Sequence, residues 1–306
     1  MDLYSYGRGN RPFVLVGKDK MTKIPWTDET WNMIGGCSPV SEGCLNCAAA
    51  MSAQLCVNRG NKKYEGLVKN GKWTGEVRLF PDLLDKPLHW RKPRMIFPAF
   101  MGDLFHEAVP FEFIDKVFET MALCWGNAAY RKNTYPNHIF QILTKRPKQM
   151  LKYLSGDVKK RWGDGAPCIG TLPNVWLGVS VENQKAADER IPILLQIPAA
   201  VQFVSVEPML EAVDLKWNLT YPSQRCSSYI RNESPPKSLD WVIIGCESGP
   251  KRRPCKLEWV RDLVEQCKAA DVPVFVKQLS INGKVSHKPE EWPEWARLRQ
   301  MPKGEQ

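Results

Sequence analysis

The chain has 306 residues, of which 43% are hydrophobic, and this length and composition can fill the core of one α/β barrel or of a two-domain enzyme. No apolar run reaches the roughly 18 uncharged residues of a membrane span, and the first residues contain no apolar signal core, so we expect a cytoplasmic protein with no membrane partner. Its ten cysteines therefore predict thiols, metal ligands or redox chemistry rather than disulfides. The formal net charge of +10 favours binding to polyanions or phosphate groups.

The predicted elements begin with a strand at residues 30–36, which leads into a loop containing Cys37, Cys44 and Cys47. Beyond residue 90, apolar segments rich in β-branched and aromatic residues alternate with segments of helical periodicity. Further strands are predicted at 94–100, 138–144, 174–181, 201–206, 240–245 and 272–277, and helices at 110–125, 183–197 and 256–270. This alternation is typical of a parallel sheet covered on both faces. We therefore predict an α/β fold, a barrel or a doubly wound sheet, with about seven strands.

Two stretches interrupt the alternation. Residues 57–93 are polar, and their sequence KNGKW predicts a β-hairpin. Residues 216–239 predict a long surface insertion of the kind that often carries substrate contacts, and its aromatic residues are Trp217, Tyr221 and Tyr229. The predicted organisation is an N-terminal extension at 1–23, the α/β barrel at 24–280 and a C-terminal tail at 281–306.

Polar residues follow each predicted strand. After the cysteine loop they are, in chain order, Asp103 and His106, then Thr144, Lys145 and Arg146, then Ser180, Glu182 and Asn183, then Glu207, then Gly245, Cys246, Glu247 and Ser248, and finally Lys277 and Gln278. Any one of them is commonly just the first solvated residue after a buried strand. In α/β barrels, however, the reacting groups collect on the loops at the C-terminal strand ends. The whole series therefore predicts one functional rim, and we interpret His89, His138 and His287 as structural or exposed.

The number of thiols in the cysteine loop, which is three, limits the kind of group that the loop can bind. A structural zinc site uses four ligands, and we interpret Cys56, nine residues beyond Cys47, as a core thiol rather than the fourth ligand. Three thiolates make a poor Lewis acid for a catalytic zinc, and a thioredoxin-like CLNC motif would need no third thiol. A [4Fe–4S] cluster held by three cysteines leaves one iron open to a ligand with an amino group and a carboxylate. The cluster is the favoured interpretation, with zinc as the alternative.

The cysteine loop belongs to a longer series of motifs between Ile24 and Gln278: IPWTDETWNMIGGCSPVSEGCLNC, MGDLFH, FQILTKRP, NVWLGVSVEN, FVSVEPML, WVIIGCESGP and PVFVKQ. In these motifs the chain resembles the radical S-adenosylmethionine enzymes, and more closely a phage-associated, three-cysteine family of radical-SAM-like proteins. The resemblance covers most of the chain. It implies a partial TIM-like barrel of six to seven parallel strands, and the host cytoplasm as location if a phage encodes the protein.

The resemblance also implies a chemistry. Cys37, Cys44 and Cys47 would ligate a [4Fe–4S] cluster, S-adenosylmethionine would bind its open iron, and an electron donor such as flavodoxin or ferredoxin would reduce it. The result would be a 5′-deoxyadenosyl radical that abstracts a substrate hydrogen. This chain departs from the family pattern because six residues instead of three separate Cys37 from Cys44, and because Asp103 replaces the usual Gly-Gly-Glu ending of the second strand.

Residue roles follow as hypotheses from that chemistry. We assign Asp103 to the ammonium group of S-adenosylmethionine, and Lys145 or Arg146, next to Thr144, to its carboxylate. The other cofactor-binding assignments are Ser180, Glu182 and Asn183 for the ribose hydroxyls and Gly245 for the adenine. The assignments to catalysis and substrate are Glu207, Glu247 and Lys277, with Cys246 as either a radical relay or a buried spectator thiol.

The substrate class is predicted from charge and aromatic content. The basic balance, the aromatic-bearing insertion and the phage association of the family favour a nucleotide or a base in DNA, and the reaction would be that of an isomerase, a lyase or a base-modifying transferase. Because duplex DNA hides its bases, the enzyme would need base flipping, single strands or free nucleotides. The alternatives are a zinc-dependent non-radical enzyme and a nucleic-acid-binding protein with a structural cluster.

Overall fold

The architecture is taken from a computed structural model that describes Thr22 and residues 24–125, 135–156, 172–220 and 238–302, without the side chains at positions 217 and 220. The predicted N-terminal extension therefore lies outside the described residues except at its end. Most of the predicted insertion also lies outside them, including Tyr221 and Tyr229.

Twelve strands and six α-helices are formed by the described residues. The strands are β1 (Glu29–Trp31), β2 (Ile34–Gly35), β3 (Val68–Lys69), β4 (Lys72–Trp73), β5 (Arg78–Leu79), β6 (Met95–Pro98), β7 (Ile139–Thr144), β8 (Val175–Val181), β9 (Val201–Val206), β10 (Trp241–Gly245), β11 (Val274–Ile281) and β12 (Lys284–Ser286). The helices are α1 (Ala48–Asn58), α2 (Phe111–Leu123), α3 (Pro147–Ser155), α4 (Gln184–Leu194), α5 (Lys216–Thr220) and α6 (Leu257–Ala269).

Eight of these strands form one sheet in the order β1-β6-β7-β8-β9-β10-β11-β12. The first seven run parallel to their neighbours, and β12 is antiparallel to β11. In the part of the chain that is described, the sheet does not close into a barrel. The prediction of an α/β fold with about seven parallel strands is confirmed, because β1 and β6 to β11 run parallel side by side in this sheet.

The prediction of the first strand, at residues 30–36, is wrong in its extent. Its parallel pairing with β6 ends at Trp31, and Ile34 and Gly35 pair instead with β5 in a separate antiparallel ribbon. Gly36 then takes a positive φ of 92°, a backbone conformation that side chains other than glycine rarely tolerate. Its N–H donates to the carbonyl of Met101 at 3.0 Å. This turn directs the cysteine loop across the end of the sheet.

The hairpin predicted within residues 57–93 is confirmed. Lys69 pairs with Lys72 across the two-residue turn of Asn70 and Gly71, and both turn residues have positive φ, 52° and 72°. Positive φ at both central positions is what an Asn-Gly turn of type I′ requires.

The two faces of the parallel sheet bury different side chains. Alternate residues of β8, such as Leu177 and Val179, belong to the main core under the helices. The opposite face carries a second cluster of large aromatic rings, which includes Trp176, Phe203 and Trp241. Gly178 lies beside one of these rings, since a Cβ built on it would be 2.5 Å from the Cζ of Phe203. A glycine in this strand therefore makes room for an aromatic ring of the next strand.

We expect Gly178→Ala to destabilise the protein by about 1–3 kcal/mol, because its methyl group would overlap the Phe203 ring and overpack the core. Urea unfolding followed by circular dichroism measures this loss. Phe203→Leu in the same chain removes the overlapping atoms, so the double variant should lose less than the sum of the two single changes. Additive losses would contradict the proposed contact.

His138 connects β7 to the polar segment before β6. Its side chain is fully buried, its Nε2 donates to the carbonyl of Pro87 at 2.9 Å, and its Nδ1 accepts from the backbone N–H of Arg94 at 3.1 Å. These partners require the neutral ring. Burial lowers the pKa of His138 to about 4, and Arg94 adds to that shift, although the bond to Pro87 opposes it.

Stability should therefore fall as the pH is lowered from about 6.5 towards 4. In that window the unfolded chain binds a proton at His138 and the folded protein does not, and a shift of this size corresponds to about 3 kcal/mol. His138→Gln should remove this part of the pH dependence, as measured by chemical unfolding at pH 7 and pH 4.5. An equal pH dependence in both proteins would contradict this assignment.

The segment after β11 packs back onto the sheet. The backbone N–H of Val276 donates to the carbonyl of Leu298 at 2.8 Å, and Trp292 is buried in the main core. Among the described residues, no helix is both long and apolar enough to cross a membrane.

Candidate functional site

A cavity of about 220 Å³ lies at the C-terminal ends of the parallel strands. One water molecule needs about 10–15 Å³ of such space, so the cavity has room for a ligand of many atoms. Parallel α/β sheets bind their ligands at this end because loops from successive strands meet there.

Most residues that the sequence singled out line this cavity. They are Cys37, Cys44, Cys47, Asp103, Thr144, Lys145, Arg146, Ser180, Glu207, Cys246, Glu247 and Lys277. Glu182, Asn183 and Gly245 are not among the lining residues. The three cysteines and the strand-end charges therefore share one cavity, although they are far apart in sequence.

A buried ion pair joins the ends of β6 and β7. Asp103 and Arg146 are 6% and 5% exposed, and Arg146 Nη1 lies 3.3 Å from Asp103 Oδ2. The same carboxylate accepts from the hydroxyl of Thr144 at 2.7 Å and from the backbone N–H groups of Lys145 and Phe105 at 3.2 and 3.0 Å. Both oxygens of Asp103 therefore already accept hydrogen bonds from the protein, whereas the sequence hypothesis assigned them to a cofactor ammonium.

Arg146 also holds the start of the cysteine loop. Its Nη1 lies 3.5 Å from Cys37 Sγ, and its Nη2 donates to the carbonyl and the hydroxyl of Ser38, both at 2.9 Å. Its Nε donates to Glu107 at 2.9 Å. The hydroxyl of Ser38 is also 2.9 Å from Nε2 of His106. One guanidinium thus ties the first cysteine to the ends of two strands.

The protonation of Cys37 is governed by its burial. Burial, together with the nearby Asp103 carboxylate, raises the pKa of Cys37 to about 12, and Arg146 opposes this shift. Burial also disfavours the charge of Arg146, but attraction to Asp103 and Cys37 outweighs it and raises the pKa of Arg146. In the metal-free protein Cys37 is a neutral thiol, which must lose its proton when it binds a metal.

The third cysteine stands at the start of α1. Cys47 is the N-cap of this helix, and Ala48 and Ala49 of its first turn line the cavity. The N-terminus of a helix carries the positive end of its dipole. Together with the cations of Lys145 and Arg146, this end favours negative charge and so opposes the effect of burial on the thiols.

Glu182 is buried in contact with the middle of the cysteine loop. It is 1% exposed and forms a two-pronged ion pair with Arg190, at 3.0 and 3.2 Å. Gly43 lies directly against it, since a Cβ built there would be 2.8 Å from Glu182 Oε2. Asn183 caps α4 and donates to Glu42 of the loop. Glu182 and Asn183 thus bind protein groups, and their assignment to ribose hydroxyls stays a prediction.

Glu247 fastens the other end of the loop. Asn46 donates to Glu247 at 3.0 Å and to the carbonyl of Lys251 at 3.0 Å. Arg253 donates to Glu247 from its backbone N–H at 2.7 Å and from Nε at 3.0 Å. Burial alone would raise the pKa of Glu247, but the hydrogen bonds from Arg253 and Asn46 outweigh it and hold that pKa below the ordinary value.

The wall formed by β9, β10 and β11 carries a further charge pair. Lys277 Nζ contacts Glu207 Oε1, and both side chains remain about one-fifth exposed, at 18% and 20%. Gly245 allows this approach, since a Cβ there would be 3.1 Å from the Glu207 carboxyl carbon. Burial, followed by repulsion from Cys255 and Glu207, raises the pKa of Cys246 to about 12. Glu207, Lys277 and Cys246 therefore stand together on the cavity wall.

Sequence reasoning missed four residues that shape the site: Ser38, Asn46, Arg190 and Ser205. Ser38 and Asn46 each adjoin a cysteine, which is a usable signal for loop positioning. Ser205 precedes Glu207 by two positions, so strand periodicity places both on one face. No local signal indicates that Arg190 turns towards Glu182.

Metal binding in this cavity depends on how closely its ligating side chains approach one another. In the described ranges, no three His, Cys, Asp or Glu side chains are close enough to share one metal ion. A cubic cluster imposes a different geometry, because each thiolate binds its own iron and the sulfurs stand around the cluster. Cys56 is half-buried on α1 against a small apolar cluster and does not line this cavity.

The fold and the site define an α/β protein with an open parallel sheet and a three-cysteine cavity at its C-terminal strand ends. A family model described as protein of unknown function (DUF5131) matches residues 21–297, so the chain belongs to this family. The searches of curated proteins and of solved structures gave no match.

We expect Asp103→Asn to lower the free energy of unfolding by about 3 kcal/mol, because it leaves the buried Arg146 guanidinium without its buried carboxylate. The matched control is Glu107→Gln. Glu107 is the other carboxylate partner of Arg146, and its side chain is 64% exposed. Its loss should therefore lower the free energy of unfolding by less than about 1 kcal/mol. Urea unfolding measures both. Equal losses in the two variants would show that burial of the Asp103 pair is not the decisive factor.

Proposed function

We propose that the protein is a radical S-adenosylmethionine enzyme in which Cys37, Cys44 and Cys47 ligate a [4Fe–4S] cluster, inside a partial TIM-like barrel formed by the parallel strands. The observation that carries the proposal is that three thiols line one cavity at the C-terminal strand ends. Arg146 and the N-terminus of α1 also line this cavity, and both stabilise negative charge.

With S-adenosylmethionine, such a cluster supplies a 5′-deoxyadenosyl radical. The protein's own contribution is to bind, to orient and to exclude water. Arg146 and Glu247 fix the two ends of the cysteine loop, and the buried rings of Trp26 and Phe97 line the apolar part of the cavity. An apolar floor limits the water that can reach a reactive group.

The polar groups best suited to bind S-adenosylmethionine are Ser180, Ser205 and Lys145. Ser180 and Ser205 face each other in register on β8 and β9, and both line the cavity. Neither hydroxyl has a hydrogen-bond partner among the residues for which the structure gives positions, so both can bind a ligand. Lys145 also lines the cavity, with its Nζ 4.0 Å from Glu182, and its cation suits the cofactor's carboxylate.

The substrate we propose is a nucleotide or a base of single-stranded or flipped-out DNA. Glu207 accepts and Lys277 donates hydrogen bonds, and together they match the donor and acceptor edge of a nucleobase. Trp73 and Phe100 on the cavity wall offer surfaces for stacking of a planar ring. Cys246 also lines the cavity, and its thiol is a candidate donor of a hydrogen atom.

Anaerobic reconstitution tests this function. About four irons and four sulfides per chain are expected, together with 5′-deoxyadenosine when dithionite and S-adenosylmethionine are added. Cys44→Ala should lose the cluster and the product. The matched control is Cys56→Ala, which removes a thiol outside the cavity and should keep both.

Other outcomes favour the alternatives. Zinc without sulfide would replace the radical enzyme with a zinc-dependent one. A cluster that never cleaves S-adenosylmethionine, with any reductant or with DNA present, would indicate a nucleic-acid-binding protein with a structural cluster. Equal effects of the Cys44 and Cys56 substitutions would contradict the proposed ligand set.

A further inference from the structure

A second cavity lies beside the first one, which contains the three thiols. Its volume is about 490 Å³, a size within the range of roughly 300–1,000 Å³ that small-molecule sites have. Ile24 and Phe100 line both cavities, so the two cavities share a boundary. The function proposed above uses the first cavity and leaves the second unassigned.

Phe100 is held at this boundary by an unusual turn. The residue before it, Ala99, has a positive φ of 58°, a strained conformation for a residue other than glycine. The N–H of Ala99 donates to the carbonyl of Trp31 at 2.8 Å, and its carbonyl accepts from the N–H of Gly102 at 3.0 Å. Strained turns of this kind are concentrated at ligand sites, where the surrounding structure enforces them.

The second cavity contains a buried hydroxyl group. Tyr64 lines this cavity and is 5% exposed, and its ring packs in the small apolar cluster with Ala53 and Leu67. Among the residues that the structure describes, no group forms a hydrogen bond with the hydroxyl of Tyr64. Burial raises the pKa of Tyr64 to about 12, so the hydroxyl keeps its proton and can donate it. An acceptor on a ligand would satisfy this buried donor.

A lysine supplies positive charge to the same cavity. The Nζ of Lys63, which lines the cavity, donates to the carbonyl of Asn32 at 3.1 Å and lies 4.2 Å from the centroid of the Phe80 ring. In the part of the chain with assigned positions, no carboxylate stands within ion-pair distance of this Nζ, and Asp82 acts on it from farther away. A half-buried cation of this kind favours an anionic ligand such as a phosphate.

Two further side chains add hydrogen-bond donors to the cavity. Thr30 and Asn61 both line it. The hydroxyl of Thr30 accepts from Asn32 at 3.2 Å, so its own proton is left to donate. The side-chain oxygen of Asn61 accepts from the backbone N–H of Lys63 at 2.9 Å, which leaves its NH₂ group for a ligand. The second cavity is therefore rich in donors, as the oxygens of a phosphate or a base require.

We propose that the second cavity binds the nucleotide next to the one in the first cavity, so that the substrate is a single strand of DNA rather than a free nucleotide. This inference rests on the function proposed above. Lys63 and Tyr64 bind a phosphate of the strand, and Phe100 at the boundary offers its ring for stacking with a base. A free nucleotide would fill the first cavity and leave the donors of the second without acceptors.

Competition binding to the purified full-length protein, reconstituted and kept anaerobic, tests this site. A fluorescently labelled single strand of five deoxynucleotides of mixed sequence is displaced either by the same unlabelled strand or by an equimolar mixture of deoxynucleoside 5′-monophosphates. Fluorescence anisotropy reports the displacement. Lys63→Gln removes the charge but keeps a donor, and Tyr64→Phe removes only the hydroxyl. The matched control is Lys62→Gln, at the adjacent exposed lysine, which does not line the second cavity.

The unmodified protein should bind the strand about tenfold or more tightly than the monophosphates. Lys63→Gln should weaken strand binding about tenfold and reduce the slope of log affinity against log salt concentration by about 0.7, the value for one phosphate contact of a single strand. Tyr64→Phe should weaken strand binding about fivefold through the loss of one hydrogen bond. Both changes should affect the monophosphates much less, and Lys62→Gln should leave the strand affinity and the slope nearly unchanged.

Equal affinity for the strand and the monophosphates would overturn the second site, and so would equal losses in the Lys62 and Lys63 variants. A Lys63 variant that loses monophosphate binding to the same degree would assign this lysine to the first cavity instead. Failure of the proposed function gives a different result. An unmodified protein that forms no cluster or no 5′-deoxyadenosine would overturn the radical reaction, while strand binding that depends on Lys63 would still support the second cavity.

Discussion

The site depends on one buried ion pair, between Asp103 after β6 and Arg146 after β7. Removing two charges from water is costly, and only a full set of hydrogen bonds makes it tolerable. Here the carboxylate accepts from a hydroxyl and two backbone N–H groups, and the guanidinium reaches on to Ser38 and Cys37. The pair therefore sets the distance between two strand ends and the position of the first cysteine at the same time.

The cavity exists because side-chain size changes along the strands. On one face of the sheet, the lower positions carry large rings such as Trp176, Phe203 and Trp241. Towards the C-terminal ends, the same face carries Ser180 and Ser205 instead. The large rings fill the space over this face of the sheet, and the small serine side chains nearer the C-terminal strand ends leave the space there open. A parallel sheet buried on both faces can hold a ligand only where its side chains become small.

The cysteine loop has two chemically different sides. Its inner side is fastened by Arg146, by Glu182 under Gly43, and by Glu247 through Asn46. Three attachments by strand-end charges hold a loop that contains six residues between its first two cysteines. Its outer side continues into the uncharged helix α1. These contacts hold the first, middle and last parts of the loop, at Ser38, Gly43 and Asn46, against the strand ends.

The sequence by itself determined the strand and helix pattern, because β-branched alternation and helical periodicity are local properties. Helix α2 at Phe111–Leu123 and strand β9 at Val201–Val206 lie within a few residues of their predicted bounds. It also indicated which strand ends carry reactive groups, since in a parallel sheet they all lie at one edge. What it did not contain was the pairing of those groups with one another.

The tertiary structure decided that Asp103 pairs with Arg146, that Glu182 pairs with Arg190 and that Glu247 pairs with Arg253. Residue-by-residue reasoning assigned these carboxylates to ligands, because the local sequence around a strand end does not show whether its carboxylate is paired with a cation of the protein. Pairing depends on distances in space between loops that are remote in the chain. For the same physical reason, only the folded chain could bring the three thiols of the cysteine loop into one cavity with Glu207 and Lys277.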